Sequence, residues 1–179
     1  MRHFTLVAFS ALALLATSAG QVDAQQPQAR QGFWFSAGLG VGSLGCADCG
    51  DRVNSLSGNL SIGGTISPRF LLGAGTTGWT KSEDGATLTA GTLDARVRFY
   101  PSTAGGFFLT GGLGVGTVSI SVAGFGSDSE IGAGALIGLG YDIRVSRNVS
   151  VTPYFNGFGV NTSNVDANVS QIGIGITTH

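Results

Sequence analysis

An all-β fold, an eight-stranded antiparallel up-and-down transmembrane β-barrel, is predicted by three features of this 179-residue sequence. From Phe33 onward, large apolar residues recur at every second position opposite Gly, Ser, Thr or Asn, which is the period of a strand and not of a helix. Only 11% of residues are charged, against about 25% in soluble domains, so an ordinary solvated surface cannot be built. The alternating runs are separated by connections that switch between short and longer, as in a meander of hairpins.

Composition removes the competing classes. Mean hydropathy is +0.30, and no run in the alternating region approaches the roughly 20 apolar residues of a membrane helix. The 31 glycines follow short alternating patterns without the triplet period of collagen. A formal charge of -1 and a single lysine, Lys81, leave no basic footprint, so no nucleic-acid partner is expected.

At the start, Arg2 and His3 precede the apolar stretch Phe4 to Ala16, and Val22-Asp23-Ala24 supplies a small-residue cleavage site. Residues 1–24 therefore read as a cleaved signal peptide, too short in its apolar part to be an anchor. Residues 25–31 (QQPQARQ) are polar and aperiodic and read as a flexible leader. The barrel domain is assigned to 32–179.

The first strand sets Phe33, Phe35, Ala37, Leu39 and Val41 against Trp34, Ser36, Gly38, Gly40 and Gly42. The second sets Leu56, Leu60, Ile62 and Ile66 against Ser57, Asn59, Ser61 and Thr65. The third runs from Phe70 to Thr80 with a less regular parity. The fourth, Thr87 to Phe99, opposes Leu93, Ala95, Val97 and Phe99 to Thr92, Asp94, Arg96 and Arg98. In the fifth, Phe107, Leu109, Leu113 and Val115 oppose Phe108, Thr110 and three glycines. The sixth carries Ile131 through Ile143 on odd positions opposite Glu130, several glycines, Asp142 and Arg144. The last two place Val149, Val151, Pro153 and Phe155, then Ile172, Ile174 and Ile176, opposite polar or small residues. Pro153 lacks an N–H and predicts a bulge or a strand end. Connections after even strands (67–69, 101–105, 145–148) are short, and those after odd strands (45–54, 81–85, 122–129, 160–167) are longer and more polar, so the termini are expected on the periplasmic side of a bacterial outer membrane.

The minority parity decides which face meets lipid. A solvent face carries Lys and Glu, whereas this one carries mainly Gly, Ser, Thr and Asn, a composition suited to a crowded lumen. An eight-stranded barrel has an interior just wide enough to be filled by side chains. Glycine on that face makes room for Trp34, Trp79, Phe108, Leu136 and Tyr154. The aromatic residues Phe33, Phe35, Phe70, Phe99, Tyr100, Phe107, Tyr141 and Phe155 fall near strand ends, as an interfacial girdle would.

The segments 93–101 (LDARVRFYP), 108–114 (FLTGGLG), 138–143 (GLGYDI) and 171–179 (QIGIGITTH) resemble those of the small eight-stranded outer-membrane β-barrel family, OmpA/OmpX-like in its transmembrane part. The resemblance spans roughly Gly32 to His179. It implies outer-membrane lipid as the surroundings and the barrel-assembly machinery as the partner during biogenesis. The family usually closes its last strand with an aromatic residue, where this chain has His179.

Five inward charges form the first candidate site. Asp94, Arg96 and Arg98 lie near the Tyr100-Pro101 turn, and Asp142 and Arg144 lie near the 145–148 turn, so both groups fall in the same half of the lumen. They read either as a gate controlling solute passage or as a plug of mutually neutralising ions. Glu130 is expected at the outer rim. Cys46 and Cys49 form a Cys-x-x-Cys in the first long connection, expected to be a loop disulfide in an oxidising compartment. Two further ligands would be needed for zinc, and no metal or cofactor is expected. Without a histidine beside a hydroxyl near the outer leaflet, no catalytic residues are assigned and no enzyme is expected. The leading function is a monomeric outer-membrane barrel with a largely filled lumen, acting structurally or by binding ligands through its extracellular loops. A narrow channel for small solutes and a soluble secreted barrel binding an apolar ligand are the alternatives.

Overall fold

The computed structural model describes residues 30–46, 50–163 and 165–179. The expected signal peptide, residues 25–29 of the leader, and Cys49 lie outside them. The strands are β1 (Phe33–Cys46), β2 (Val53–Ser67), β3 (Phe70–Glu83), β4 (Ala86–Phe99), β5 (Phe107–Val122), β6 (Gly126–Tyr141), the two-residue β7 (Ile143–Arg144), β8 (Val149–Asn161) and β9 (Asp166–Thr178). Each pairs antiparallel with its neighbour. The order β6-β5-β4-β3-β2-β1-β9-β8-β7 is closed by an additional β6–β8 pairing, so the eight long strands make a barrel with no free edge.

β7 continues β6 after a lapse at Asp142. The register on β8 is the same on both sides of the lapse, Gly140 with Tyr154 and Ile143 with Val151. Pro153 lies opposite the lapse and has no N–H to give. It is neither a bulge nor a strand end of β8, since its pairing with Ile174 of β9 is regular. The missing donor instead interrupts the ladder on one side only.

The parity of the sequence holds around the whole ring. Phe35, Leu39, Val41, Leu60, Ile62, Leu93, Leu113, Ile137, Ile172 and Ile174 are exposed, while Trp34, Ser36, Ser57, Ser61, Thr77, Asp94, Arg96 and Gln171 are buried inside. Along β5 the outward apolar positions run from Phe107 to Val115, about the nine residues that a tilted strand needs to cross the hydrocarbon layer. An apolar exterior of that height, with no edge, is the solution to placing a sheet in lipid.

The connections do not alternate in length as expected. β3 and β4 are joined by Asp84–Gly85 alone, with φ of 50° and 79°, the two left-handed residues of a tight hairpin turn. Residues 123–125 join β5 to β6, and 162–165 join β8 to β9. At the other end, residues 100–106 make the long link between β4 and β5. Residues 81–83 and 127–129 are paired strand, not loop. The asymmetry of the barrel thus lies in hairpins overhanging the apolar belt at one end, the hairpin end. The chain termini mark the other, the terminal end.

Two apolar clusters fill the interior. Leu44, Trp79, Ala90, Leu136, Phe158, Ala167 and Val169 pack toward the hairpin end, and Trp34, Leu71, Tyr100 and Phe108 toward the terminal end.

Candidate functional site

Between the two clusters lies a polar layer. Asp94 and Arg96 are two residues apart on β4 and therefore point the same way, into the lumen. Arg96 grips the carboxylate through two donors, Nε to Oδ1 at 2.8 Å and Nη2 to Oδ2 at 2.7 Å. The guanidinium also donates to Ser61 Oγ at 3.3 Å and Thr77 Oγ1 at 2.9 Å, and Thr92 donates to Asp94 Oδ2 at 3.3 Å. A forked, fully hydrogen-bonded pair of this kind offsets the cost of burying both ions. Gly75 on β3 and Gly112 on β5 make the space: a Cβ on either would overlap Arg96 or Asp94, respectively.

Arg98, one pair further along β4, does not join this fork. Its guanidinium lies between the rings of Trp34 and Phe108, at 4.7 and 4.6 Å from their centroids. The ring faces supply negative potential to a desolvated cation.

Asp142 organises a third group at the terminal end. Tyr100 donates its hydroxyl to Oδ2 at 2.8 Å and Thr152 donates to Oδ1 at 2.7 Å, while His179 Nε2 lies 3.4 Å from Oδ2. The Thr152 and Thr177 hydroxyls are 2.9 Å apart, and so are those of Thr177 and Ser36. One hydrogen-bonded chain therefore crosses from β1 through β9 and β8 to Tyr100. Tyr100 and Asp142 sit beyond the ends of β4 and β6. Burial raises the Asp142 carboxyl, but the His179 hydrogen bond, the Arg98 charge and the Thr152 and Tyr100 hydroxyls outweigh it, so its pKa falls below the ordinary carboxylate value. The Tyr100 phenol is pushed well up, first by burial and then by the Asp142 charge.

The five charges therefore form separate groups, not one network. Asp94 and Arg96 pair, Arg98 is sandwiched by rings, and Asp142 draws on Tyr100, Thr152 and His179. Arg144 is half-buried near the 145–148 turn, where its Nη2 donates to the Arg147 carbonyl at 3.0 Å. Glu130 is half-buried and accepts the Thr162 hydroxyl at 2.6 Å. Cys46, at the end of β1, is disulfide-bonded.

Two residues depart from their expected places. Tyr100 is fully buried and not part of the girdle, because the chain turns inward after Phe99 to reach Asp142. The other girdle residues stay outside, with Phe70 and Phe99 in ring contact at 4.9 Å. Arg30, placed in the polar leader by composition, is buried. Its guanidinium lies 3.6 Å from the Tyr100 ring centroid and donates to the Gly105 carbonyl. A lone arginine among glutamines carries no periodic signal that could have revealed this role.

The space left in the polar layer, lined by Asn59, Arg96, Arg98, Thr110, Thr152 and Tyr154 among others, is about 10 Å³. That is at the lower limit for one water molecule. The described residues include no cluster of three or more metal-ligating side chains.

No protein-family model and no curated protein sequence matches the chain. Solved structures do. Neisserial surface protein A superposes with a TM-score of 0.60 at 17% identity, covering 82% of this chain and 96% of that one. The fold is that of the small eight-stranded outer-membrane β-barrels. Ail, the attachment invasion locus protein of Yersinia pestis, shares this outer-membrane barrel fold with a TM-score of 0.60 at 14% identity, over 82% of this chain and 99% of that one. Its complex with the heparin analogue sucrose octasulfate gives 0.62 at 16% identity, over the same shares.

Proposed function

We propose that this chain is a monomeric integral protein of the bacterial outer membrane that does not conduct solutes and acts at the cell surface through its overhanging hairpins. The observation that carries the reading is the occlusion of the lumen. An apolar cluster, a paired polar layer and an arginine held between rings succeed one another along the axis, leaving a cavity of about 10 Å³ where a hydrated solute would need a path. The apolar belt around a closed ring supports residence in lipid, and the fold shared with surface proteins of the same size supports the outer membrane. In this reading the termini are periplasmic, the hairpin end is extracellular, and Cys46 pairs with Cys49 to stiffen the first hairpin tip. The polar layer, with only about 10 Å³ of free space, supports a non-enzymatic role.

Cell fractionation and surface labelling test this assignment. The folded protein should sediment with outer membranes and migrate faster on a gel before boiling than after. A cysteine introduced at Phe125, at the exposed tip of the β5–β6 hairpin, should react with a membrane-impermeant maleimide on intact cells. Recovery in the soluble periplasmic fraction, or labelling only after lysis, would overturn the location or the orientation.

A further inference from the structure

The polarity of the strands inverts where they leave the apolar belt. Within the belt the outward positions are apolar. Above it, the outward positions of β4 and β5 are Thr87, Thr89, Thr117, Ser119 and Ser121, while the inward ones are Leu88, Val118 and Ile120. Apolar inside and polar outside is the pattern of a water-soluble barrel, whose outer face is hydrated and whose inner face packs on a core or holds an apolar ligand.

These inward residues, with Val165, wall a cavity of about 330 Å³ at the hairpin end. Its floor is the cluster around Trp79, against which Leu88, Val118 and Val165 pack. The cavity thus ends blindly above the polar layer. Its charge is one-sided. Ile120 and Val118 face Asp128 and Glu130 across the β5–β6 pairing, and both acids line the cavity. Among the described residues no Lys or Arg lines it. Nearby cations are held elsewhere: Lys81 pairs with Glu83 at 2.6 Å, and Arg52 donates to Asn168 Oδ1 at 2.7 Å.

We propose that this cavity is a binding site for a small apolar molecule carrying a positive charge, its body on the Leu88, Val118, Ile120 and Val165 walls and its cation toward Asp128 and Glu130. The volume is at the small end of ligand sites, about 300 to 1,000 Å³. Complementary charge selects the cation and rejects the anion of the same shape.

Calorimetric titration of the full barrel in zwitterionic nanodiscs, with empty nanodiscs subtracted, tests the site. The probes are 2-naphthylmethylammonium and its anionic counterpart 2-naphthoate. The ammonium should bind saturably at one site and at least about tenfold more tightly than the carboxylate. In the double variant Asp128→Asn, Glu130→Gln, that preference should vanish through an affinity loss of about tenfold for the ammonium. Ile120→Trp, which adds bulk at a half-exposed wall position, should abolish binding while the barrel keeps its heat-modifiable migration. Absence of saturable binding, equal affinity for the two probes, or unchanged binding in a folded Ile120→Trp barrel would each overturn the proposal.

Discussion

Trp79 donates its indole N–H to the carbonyl of Gly42 at 2.9 Å, and a Cβ on Gly42 would stand 2.7 Å from the Trp79 ring. The ring occupies the volume that a side chain on β1 would need. Inward glycines recur in this role: a Cβ on Gly38 would meet Tyr154 at 2.6 Å, and one on Gly116 would meet Val160 at the same distance. Gly64, facing outward, has nothing within 4 Å of such an atom. Gly42→Ala should therefore destabilise the barrel by about 1–3 kcal/mol, the cost of overpacking a filled core. Gly64→Ala should stay within about 0.5 kcal/mol of the parent. Urea unfolding in lipid vesicles, followed by tryptophan fluorescence, distinguishes the two.

The fork between Arg96 and Asp94 predicts strong non-additivity. Arg96→Met alone leaves a buried carboxylate without its partner and should cost about 3–5 kcal/mol. Adding Asp94→Leu should recover most of that loss, because the two changes together remove the charge as well as its partner. A double variant as unstable as the single one would show that the fork does not hold the layer together.

Acid sensitivity should trace to Asp142. Its folded pKa lies below the unfolded value, so the stability it contributes is present above the unfolded pKa of about 4 and is lost as pH falls through the folded value. Asp142→Asn should flatten the unfolding midpoint against pH below that point. Tyr100 has the opposite sign: its raised pKa gives stability that is full below about pH 10 and declines as pH climbs through the folded value. Tyr100→Phe should flatten that alkaline limb and, by removing one of the hydroxyls that hold Asp142 low, shrink the acid limb without abolishing it, since His179, Arg98 and Thr152 remain.

Arg30 should prove part of the barrel rather than of a leader. Its position 3.6 Å from the Tyr100 ring centroid is a desolvated cation–π contact of about 2 kcal/mol. Arg30→Ala should lower the unfolding midpoint accordingly. Hydrogen exchange should rise at Asp142, whose N–H donates to the Gly106 carbonyl at 2.9 Å next to the acceptor of Arg30. Unchanged exchange there would show that Arg30 does not hold the 105–106 segment against Asp142.

Much of this barrel was legible because side-chain period reports a strand's two faces directly. Leu113 outside and Trp34 inside follow from parity alone, and so do the inward positions of Asp94, Arg96 and Arg98. What parity cannot supply is the partner across the lumen. Arg96 finds Asp94 on its own strand, whereas Arg98 finds the rings of Trp34 and Phe108, and no pattern along β4 separates these outcomes. Composition also cannot distinguish a loop from a solvated hairpin, since both are rich in Ser and Thr; residues 127–129 read as loop and are paired strand. Tyr100 escapes the parity rule for a related reason. It follows the last strand residue, Phe99, at a turn where alternation ceases to report direction.

The proposed function stands or falls with the sealing of the lumen. Purified protein reconstituted into planar lipid bilayers, at a density verified by heat-modifiable migration of the same preparation, tests it directly. The sealed interior predicts current no greater than leak across a range of voltages in potassium chloride. Sustained single-channel steps from the folded barrel would contradict it.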